Sequence, residues 1–235
     1  HTLIPNLKQR LAQPSDLIDL AGITELKRIL DDRGSQLAIG AMTTHAEVAH
    51  SQDVRSWAPA LADLAEHIGD AQVRNRGTIG GSIANNDPAA DYPAAVVGLN
   101  ATVTTNTGKH TADGFFKGLF ETALGDGELI TSVSFPKVEK AAYMKFPNPA
   151  SRYAMVGVFV AKTAGGVRVA VTGAGPSVFR VKAMEDALAK DFSSAAIKDI
   201  KIPADGLNSD IHGSAEYRAH LVGVMARRAV DAANK

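Results

Sequence analysis

Hydrophobic positions in the first hundred residues alternate between the spacing of helices and that of short strands. Three apolar clusters predict short strands joined by loops: residues 17–20, 26–30 and 37–39. A short helix is predicted from Thr43 or Thr44 to about His50, because threonine can cap its start and Glu47 falls in its first turn. An amphipathic helix follows, closed by a glycine: Trp57, Leu61, Leu64, Ala65, Ile68 and Gly69.

Further helices and strands are predicted along the rest of the chain. A helix from Pro88 to about Leu99 is favoured because proline suits the first helical turn. Alternating β-branched and apolar residues predict strands at 101–106, 129–135, 143–146, 156–162 and 167–172, with a hairpin turn at 164–166. Apolar residues at helical spacing predict amphipathic helices over 181–188 and 217–225.

A change of composition near Lys137–Lys140 predicts two domains, residues 1–138 and 139–235. The second part is a small antiparallel sheet followed by helices, which is an α+β pattern.

Composition narrows the class of protein. The 235 residues carry 25 Lys+Arg and 25 Asp+Glu, a balance that argues against nucleic acid or an anionic membrane as the main partner. With no cysteine, the chain cannot form disulfides, thiolate zinc sites, a catalytic thiol or a standard iron–sulfur cluster. Apolar runs are too short for a membrane span, and we expect a cytoplasmic globular protein. The first residue is not methionine, so we expect the natural N-terminus to lie upstream.

The densest local signal is the glycine-rich stretch 77–82. The adjacent Gly80 and Gly81 can adopt positive φ, and backbone amides around them can then converge on an anion such as a diphosphate. The hydroxyls of Thr78 and Ser82 add donors. For two adjacent glycines taken alone, a tight turn is a more common role than an anion-binding loop. The spacing matches neither the Rossmann fingerprint nor the P-loop.

Polar side chains follow this stretch at Asn85, Asp87 and Asp91. Acidic and amide groups suit ribose hydroxyls or ring N–H donors, and carboxylates would repel phosphates. A diphosphate-binding loop followed by such acceptors suits a dinucleotide.

Residues 73–91 as a whole resemble the second flavin motif of the FAD-binding medium subunits of molybdenum hydroxylases, a group that includes carbon monoxide dehydrogenase and xanthine dehydrogenase. The opening His1–Pro5 is similar to the end of that family's first motif, Ala-Gly-Gly-His-[Ser/Thr]-Leu. The family's opening residues, including the Ala-Gly-Gly, are absent from this sequence. The resemblance implies a two-subdomain FAD-binding fold of the vanillyl-alcohol oxidase type, lacking its N-terminal part, and a C-terminal α+β domain.

The resemblance also implies an FAD-binding set of residues. Loops over the diphosphate would be formed by His1, Thr2, Leu3 and Ile4, and by Thr78, Ile79, Gly80, Gly81 and Ser82. The nucleotide part would meet Asn85, Asp87 and Asp91, and the isoalloxazine region would meet Ile68, Ile130 and Lys145.

Structural alternatives stay open at several of these positions. Ile68 and Ile130 could be core residues, Lys145 a solvated strand residue, and His1 a frayed terminus. Tyr153 could stack near the flavin or be an anchored surface aromatic. The arginines at 74 and 76 could meet phosphate, or they could lie in a solvated loop or contact a partner.

The function implied by the resemblance is electron transfer within a complex. Substrate would be oxidised at the molybdenum cofactor of a large subunit, and electrons would pass through [2Fe–2S] clusters of a small subunit to FAD and then to quinone, NAD or oxygen. A dimer of heterotrimers is the expected assembly, with carbon monoxide the best guess for substrate. No catalytic acid, nucleophile or metal ligand is assigned in this chain. A stand-alone flavoprotein oxidoreductase and a scaffold that has lost FAD are the alternatives.

Overall fold

The computed structural model describes residues 2–31 and 34–235, so His1, assigned above to the first loop, lies outside the described residues. Its N-terminal half is built on a five-stranded antiparallel sheet in the order β1-β2-β7-β3-β4. The strands are β1 Ile29–Asp31, β2 Gln36–Gly40, β3 Thr102–Thr105, β4 Lys109–Thr111, β5 Phe116–Gly118, β6 Glu121–Thr122 and β7 Ile130–Pro136, with β5 and β6 forming a separate hairpin.

Most helices of this half lie between β2 and β3 in sequence. They are α1 Leu3–Lys8, α2 His45–His50, α3 Gln52–Trp57, α4 Pro59–Glu66, α5 Ala71–Arg76, α6 Ile79–Asn85, α7 Tyr92–Gly98 and α8 Ala112–Phe115. The cap predicted for α2 is confirmed, because Thr44 accepts a hydrogen bond from the Glu47 amide while the Glu47 carboxylate accepts one from the Thr44 amide.

The second half carries a four-stranded antiparallel sheet in the order β11-β10-β9-β8, which matches the predicted α+β pattern. Its elements are β8 Lys140–Pro147, β9 Ala154–Thr163, β10 Gly166–Thr172, β11 Phe179–Arg180, α9 Lys182–Lys190 and α10 Ala215–Ala233, with a 3₁₀ turn at Ser194–Ile197. The long helix α10 packs against β8 and β9. Among the described residues, no helix is both long and apolar enough to cross a membrane.

Four sequence predictions were wrong in position. The strand predicted at 26–30 begins only at Ile29, because Thr24–Lys27 form a 3₁₀ helix. The stretch 17–20 forms no strand, and Leu17 and Ile18 are exposed there. The single helix predicted over 57–68 is two helices, because Pro59 begins α4 after α3 has ended at Trp57. Helix α7 begins at Tyr92 rather than at Pro88, and Asp91 is its first flanking residue.

The two halves pack directly on each other through α7 and β9. A methyl group at Gly98 would stand 2.8 Å from Cδ1 of Phe159, so a side chain there would force the two elements apart. Tyr143 and Phe159 of the second sheet belong to the hydrophobic core of the first half. Backbone contacts add to this packing, since the amide of Gly173 donates to the carbonyl of Pro88, just before α7. The contact therefore fixes the loop between α6 and α7.

Candidate cofactor site

A cavity of about 330 Å³ opens where the first residues of α2 and α6 meet the loop before α7. Its walls come from widely separated segments: Thr2, Leu3, His45, Ile68, Val73, Arg76, Gly77, Thr78, Gly81, Ser82, Asn85, Asp87, Ala90, Asp91 and Tyr153.

The start of α6 is anchored to the segment before α2 by backbone hydrogen bonds. Ile79 donates to the carbonyl of Thr43, and Gly80 donates to that of Ala41. In the other direction, His45 donates to the carbonyl of Gly77, and residues 44 and 78 form an isolated antiparallel bridge. The two segments therefore form one rigid wall of the cavity.

The glycines act differently from the sequence prediction of a positive-φ anion loop. Neither Gly80 nor Gly81 has positive φ, because both lie in the first turn of α6. Their amides already have partners, since Gly80 donates to Ala41 and Gly81 to the Thr78 hydroxyl at 3.2 Å. The prediction was wrong because the chain satisfies these amides with a helix cap and a neighbouring strand end.

Each glycine has its own packing reason. A Cβ at Gly80 would stand 2.5 Å from the Ala41 Cβ, so this glycine permits the close approach of α6 to the end of β2. A Cβ at Gly81 would meet only Oγ1 of Thr78, at 2.9 Å. Gly81 is exposed and lines the cavity, so its missing side chain leaves room for a ligand at the start of α6.

Asp91 is held at the inner wall by two side chains of β8. Its Oδ1 accepts a hydrogen bond from the Tyr143 hydroxyl at 2.6 Å and lies 3.0 Å from Nζ of Lys145. Burial raises the pKa of Asp91, while the Lys145 ammonium and the Tyr143 hydroxyl oppose that rise. Both contacts use Oδ1, so within the described part of the chain Oδ2 has no hydrogen bond and is available to a ligand.

The structure brings together most of the residues that the resemblance assigned. The assigned residues that line the cavity are Thr2, Leu3, Ile68, Thr78, Gly81, Ser82, Asn85, Asp87 and Asp91. Those that do not line it are Ile4, exposed on α1; Ile79, Gly80 and Ile130, buried; and Lys145, which ion-pairs with Asp91 and donates to the carbonyl of His67.

Sequence reasoning missed His45 and left Arg76 and Tyr153 undecided, and all three line the cavity. The two arginines of α5 differ in role: Arg74 donates to the carbonyls of Ile68 and Gly69, whereas Arg76 lines the cavity. Their positions on α5 could have separated them, because residues two apart on a helix point to different faces. His45 carried no sequence signal beyond its position after the cap.

His45 is buried in the wall of the cavity beside the ring of Tyr92. The two ring centroids are 5.2 Å apart. Burial lowers the pKa of His45 to about 4, and the nearby Arg74 adds to the effect, so the imidazole is neutral at neutral pH. Its Nδ1 is sealed from solvent and has no hydrogen-bond partner among the described residues.

The residues present fit a flavin dinucleotide. Hydroxyl groups at Thr78 and Ser82, and a gap at Gly81 that a Cβ would fill, surround the start of α6. A cation at Arg76 and an acceptor at Asp91 lie on the same cavity. Donors beside one wall and a carboxylate beside another suit a ligand with phosphate and hydroxyl groups. Within residues 2–31 and 34–235, no group of three or more His, Cys, Asp or Glu side chains could hold a metal ion.

Comparison with known proteins defines the class. Residues 1–138 match the family model described as the FAD binding domain in molybdopterin dehydrogenase, and residues 141–233 match the CO dehydrogenase flavoprotein C-terminal domain. The chain belongs to the FAD-binding medium subunits of carbon monoxide dehydrogenase-like molybdenum hydroxylases, and it is a subunit of an oxidoreductase. The family resemblance, the fold class and FAD as cofactor are thereby confirmed.

Individual relatives cover almost the whole chain. The carbon monoxide dehydrogenase medium chain of Hydrogenophaga pseudoflava is 35% identical, over 99% of this chain and 86% of the relative. The nicotine 6-hydroxylase medium subunit of Paenarthrobacter nicotinovorans is 36% identical, over 97% of this chain and 86% of the relative. A solved carbon monoxide dehydrogenase from Hydrogenophaga pseudoflava, lacking the Mo-pyranopterin moiety of its cofactor, matches with a TM-score of 0.87 and 36% identity, over 99% and 86%.

Proposed function

We propose that this chain carries electrons from the [2Fe–2S] clusters of a small partner subunit, through FAD, to an external acceptor. The observation that carries the proposal is that the first-loop residues Thr2 and Leu3, the start of α6 and Asp91 all line one cavity. The chain itself has no cysteine, so clusters would have to belong to a partner. We also propose that a large subunit holds the molybdenum cofactor, with the whole a dimer of heterotrimers in the cytoplasm.

Different residues of the cavity would bind different parts of FAD. The hydroxyls of Thr78 and Ser82 would donate to the diphosphate, and Gly81 would let it approach the helix start. Oδ2 of Asp91 would accept a hydrogen bond from a hydroxyl of the nucleotide part, while Tyr143 and Lys145 hold the other oxygen in place. Ile68 would supply an apolar surface, since it packs at the edge of the core.

FAD, when bound, accepts and releases one or two electrons, which lets it connect one-electron clusters to a two-electron acceptor. The residues of this chain bind FAD and orient it. Asp91 already holds two contacts with Tyr143 and Lys145, so it serves as a fixed acceptor. His45 has a pKa of about 4 and is a poor base at neutral pH. The site therefore suits electron transfer better than proton abstraction from an organic substrate.

Two further assignments complete the proposal. We place the domain boundary between residues 138 and 139, supported by the change from one sheet to the other between β7 and β8. For the substrate of the complex we propose carbon monoxide, supported by the likeness to the Hydrogenophaga pseudoflava medium chain.

The test is co-purification of this chain with its companions from the source cells, with visible spectra of the complex and of the separated chain. We expect a large and a small subunit to co-purify, with flavin and iron–sulfur absorbance together and bleaching on addition of carbon monoxide. Bleaching by other substrates of molybdenum hydroxylases, but not by carbon monoxide, would overturn the substrate alone. Flavin reduced by an organic substrate in the isolated chain would instead support a stand-alone oxidoreductase. A complex without flavin would overturn the proposal entirely.

A further inference from the structure

His45 carries polar atoms that the folded chain leaves unused. The residue is 4% exposed, and its Nδ1 has no hydrogen-bond partner among the described residues. Buried polar groups in proteins are almost always paired, because an unpaired one loses its bonds to water without replacement. The imidazole also lines the cofactor cavity. Because the folded chain makes no use of this imidazole although it lies in the wall of a ligand cavity, we infer a ligand contact through its other nitrogen, Nε2.

The tautomer follows from which edge of the ring is sealed. A neutral imidazole has one N–H donor and one acceptor nitrogen. An orphaned buried N–H is rarer in proteins than an under-used acceptor, so the proton is better placed on Nε2 than on the sealed Nδ1. Nε2 also makes no hydrogen bond within the described residues, but unlike Nδ1 it is not fully sealed from solvent. Since His45 lines the cavity, we take Nε2 as the nitrogen that a ligand there can reach. His45 therefore presents an N–H donor to the cavity.

The position of His45 decides which part of a ligand it meets. Its backbone amide donates to the carbonyl of Gly77 at 3.0 Å, and the preceding Thr44 pairs with Thr78. The imidazole thus starts from the same wall as the hydroxyl of Thr78. The centroid of the Tyr92 ring lies 5.2 Å from the centroid of the imidazole, so Tyr92 limits how far the imidazole can rotate.

We propose that His45 is a diphosphate-binding residue, whose Nε2–H donates a hydrogen bond to a phosphate oxygen of FAD next to Thr78. This inference rests on the proposed function, since it assumes FAD in the cavity. It adds a donor from α2, an element to which the family motifs assign no contact. A neutral donor can approach closely without forming an ion pair, while Arg76 on the same cavity supplies positive charge.

The test uses the full chain and its assembled complex, with His45→Ala and His45→Gln as variants. His50→Ala is the matched control, because His50 ends the same helix and its side chain is 65% exposed. We expect FAD to dissociate about tenfold more readily from His45→Ala, which corresponds to about 1.4 kcal/mol. Glutamine keeps an N–H donor and should restore part of the affinity, and the His50 variant should bind as wild type.

Three further measurements distinguish a direct contact from a structural role. In ³¹P spectra of bound FAD, one phosphorus resonance should shift in His45→Ala and not in His50→Ala. In ¹⁵N spectra of the wild-type chain, the His45 imidazole should be an Nε2–H tautomer whose resonance moves on FAD addition. ADP, which shares the diphosphate but lacks the flavin, should lose affinity in parallel with FAD.

Equal FAD affinity in wild type and His45→Ala would overturn this inference and leave the proposed function standing. Loss of affinity for FAD but not for ADP would also overturn it, by placing the contact at the flavin end. Failure of the wild-type complex to hold FAD would overturn the proposed function itself.

Discussion

At the scale of single residues, the cavity is built from groups whose polar partners lie far away in sequence. Asp91 depends on Tyr143, 52 residues later, for its hydrogen bond of 2.6 Å. A buried carboxylate needs such partners, because removing a charge from water costs several kcal/mol unless the protein replaces the lost bonds. The same contacts leave Oδ2 of Asp91 available to a ligand.

Asp91→Ala should lower FAD occupancy and also destabilise the chain, because it leaves the buried ammonium of Lys145 without its counter-ion. We expect a loss of about 3 kcal/mol in the free energy of unfolding. Flavin absorbance per polypeptide in the assembled complex and urea unfolding of the chain check the two effects. Asp199→Ala is the control, since the Asp199 side chain is 90% exposed and does not line the cavity, so both flavin content and stability should stay as in wild type. Unchanged flavin content in Asp91→Ala would contradict the binding role.

His45 should make stability fall in mild acid. An unfolded histidine takes up its proton near pH 6.5, whereas the folded His45 does so only near pH 4. Between these values the unfolded chain binds more protons, so the free energy of unfolding decreases as the pH falls, by roughly 3 kcal/mol in total. His45→Gln should remove this part of the slope. Urea unfolding of both proteins at pH 7, 5.5 and 4 measures the difference, and parallel curves would refute the assignment.

At the scale of elements, α6 shows how neighbouring glycines can serve different ends. Gly80 allows α6 to touch the end of β2, and Gly81 leaves the cavity floor open. The helix starts with the Thr78 cap, which fixes its first turn against the segment leading into α2. The glycine pair therefore combines a packing contact with a binding surface.

Gly80→Ala and Gly81→Val should separate these two effects. Alanine at 80 would press on Ala41, and we expect a loss of about 1–3 kcal/mol in the free energy of unfolding. Valine at 81 has space apart from Oγ1 of Thr78, so it should reduce stability less and FAD binding more. Melting temperatures and FAD dissociation constants of both variants provide the check. Wild-type FAD affinity in Gly81→Val would mean that this glycine does not face the cofactor.

At the scale of the whole molecule, ionic contacts join the two halves. Arg168 on β10 makes a bidentate contact with Asp113 of α8, with N–O distances of 2.7 and 3.0 Å, and it also donates to the carbonyl of Val97 at the end of α7. Arg180 on β11 reaches the same Asp113 and binds Glu185. Since α7 begins directly after Asp91, this network ties the other end of that helix to the second half.

Arg168→Met should weaken the coupling between the halves, because it removes a charged hydrogen bond to a buried carbonyl together with the ion pair. We expect the free energy of unfolding to fall by about 2 kcal/mol. Trp57 is the only tryptophan, so its fluorescence reports the first half, and circular dichroism reports the whole. We expect the two urea transitions to coincide in wild type and to separate in the variant. Arg55→Met, which removes an exposed pair with Glu66, should leave them coincident.

Much of this architecture was predictable because its causes are local. The Thr44–Glu47 cap, the hairpin between β9 and β10 and the order of the second sheet followed by helices all depend on neighbouring residues. Many residues of the long motif at 73–91, which drew attention through family resemblance, line one cavity. The exact start of α7 was not predictable, because packing against β9 and β10 determines which turn becomes helical.

The sequence alone determined the family, the cofactor and most of the order of helices and strands, because motifs and hydrophobic periodicity depend on residues that are close together in the chain. Only the tertiary structure decided that Gly80 serves packing, that Lys145 stands behind Asp91, and that His45 enters the cavity wall with an unpaired nitrogen. The reason is physical: burial and pairing of a polar atom depend on groups that reach it from distant segments, and no local pattern records them.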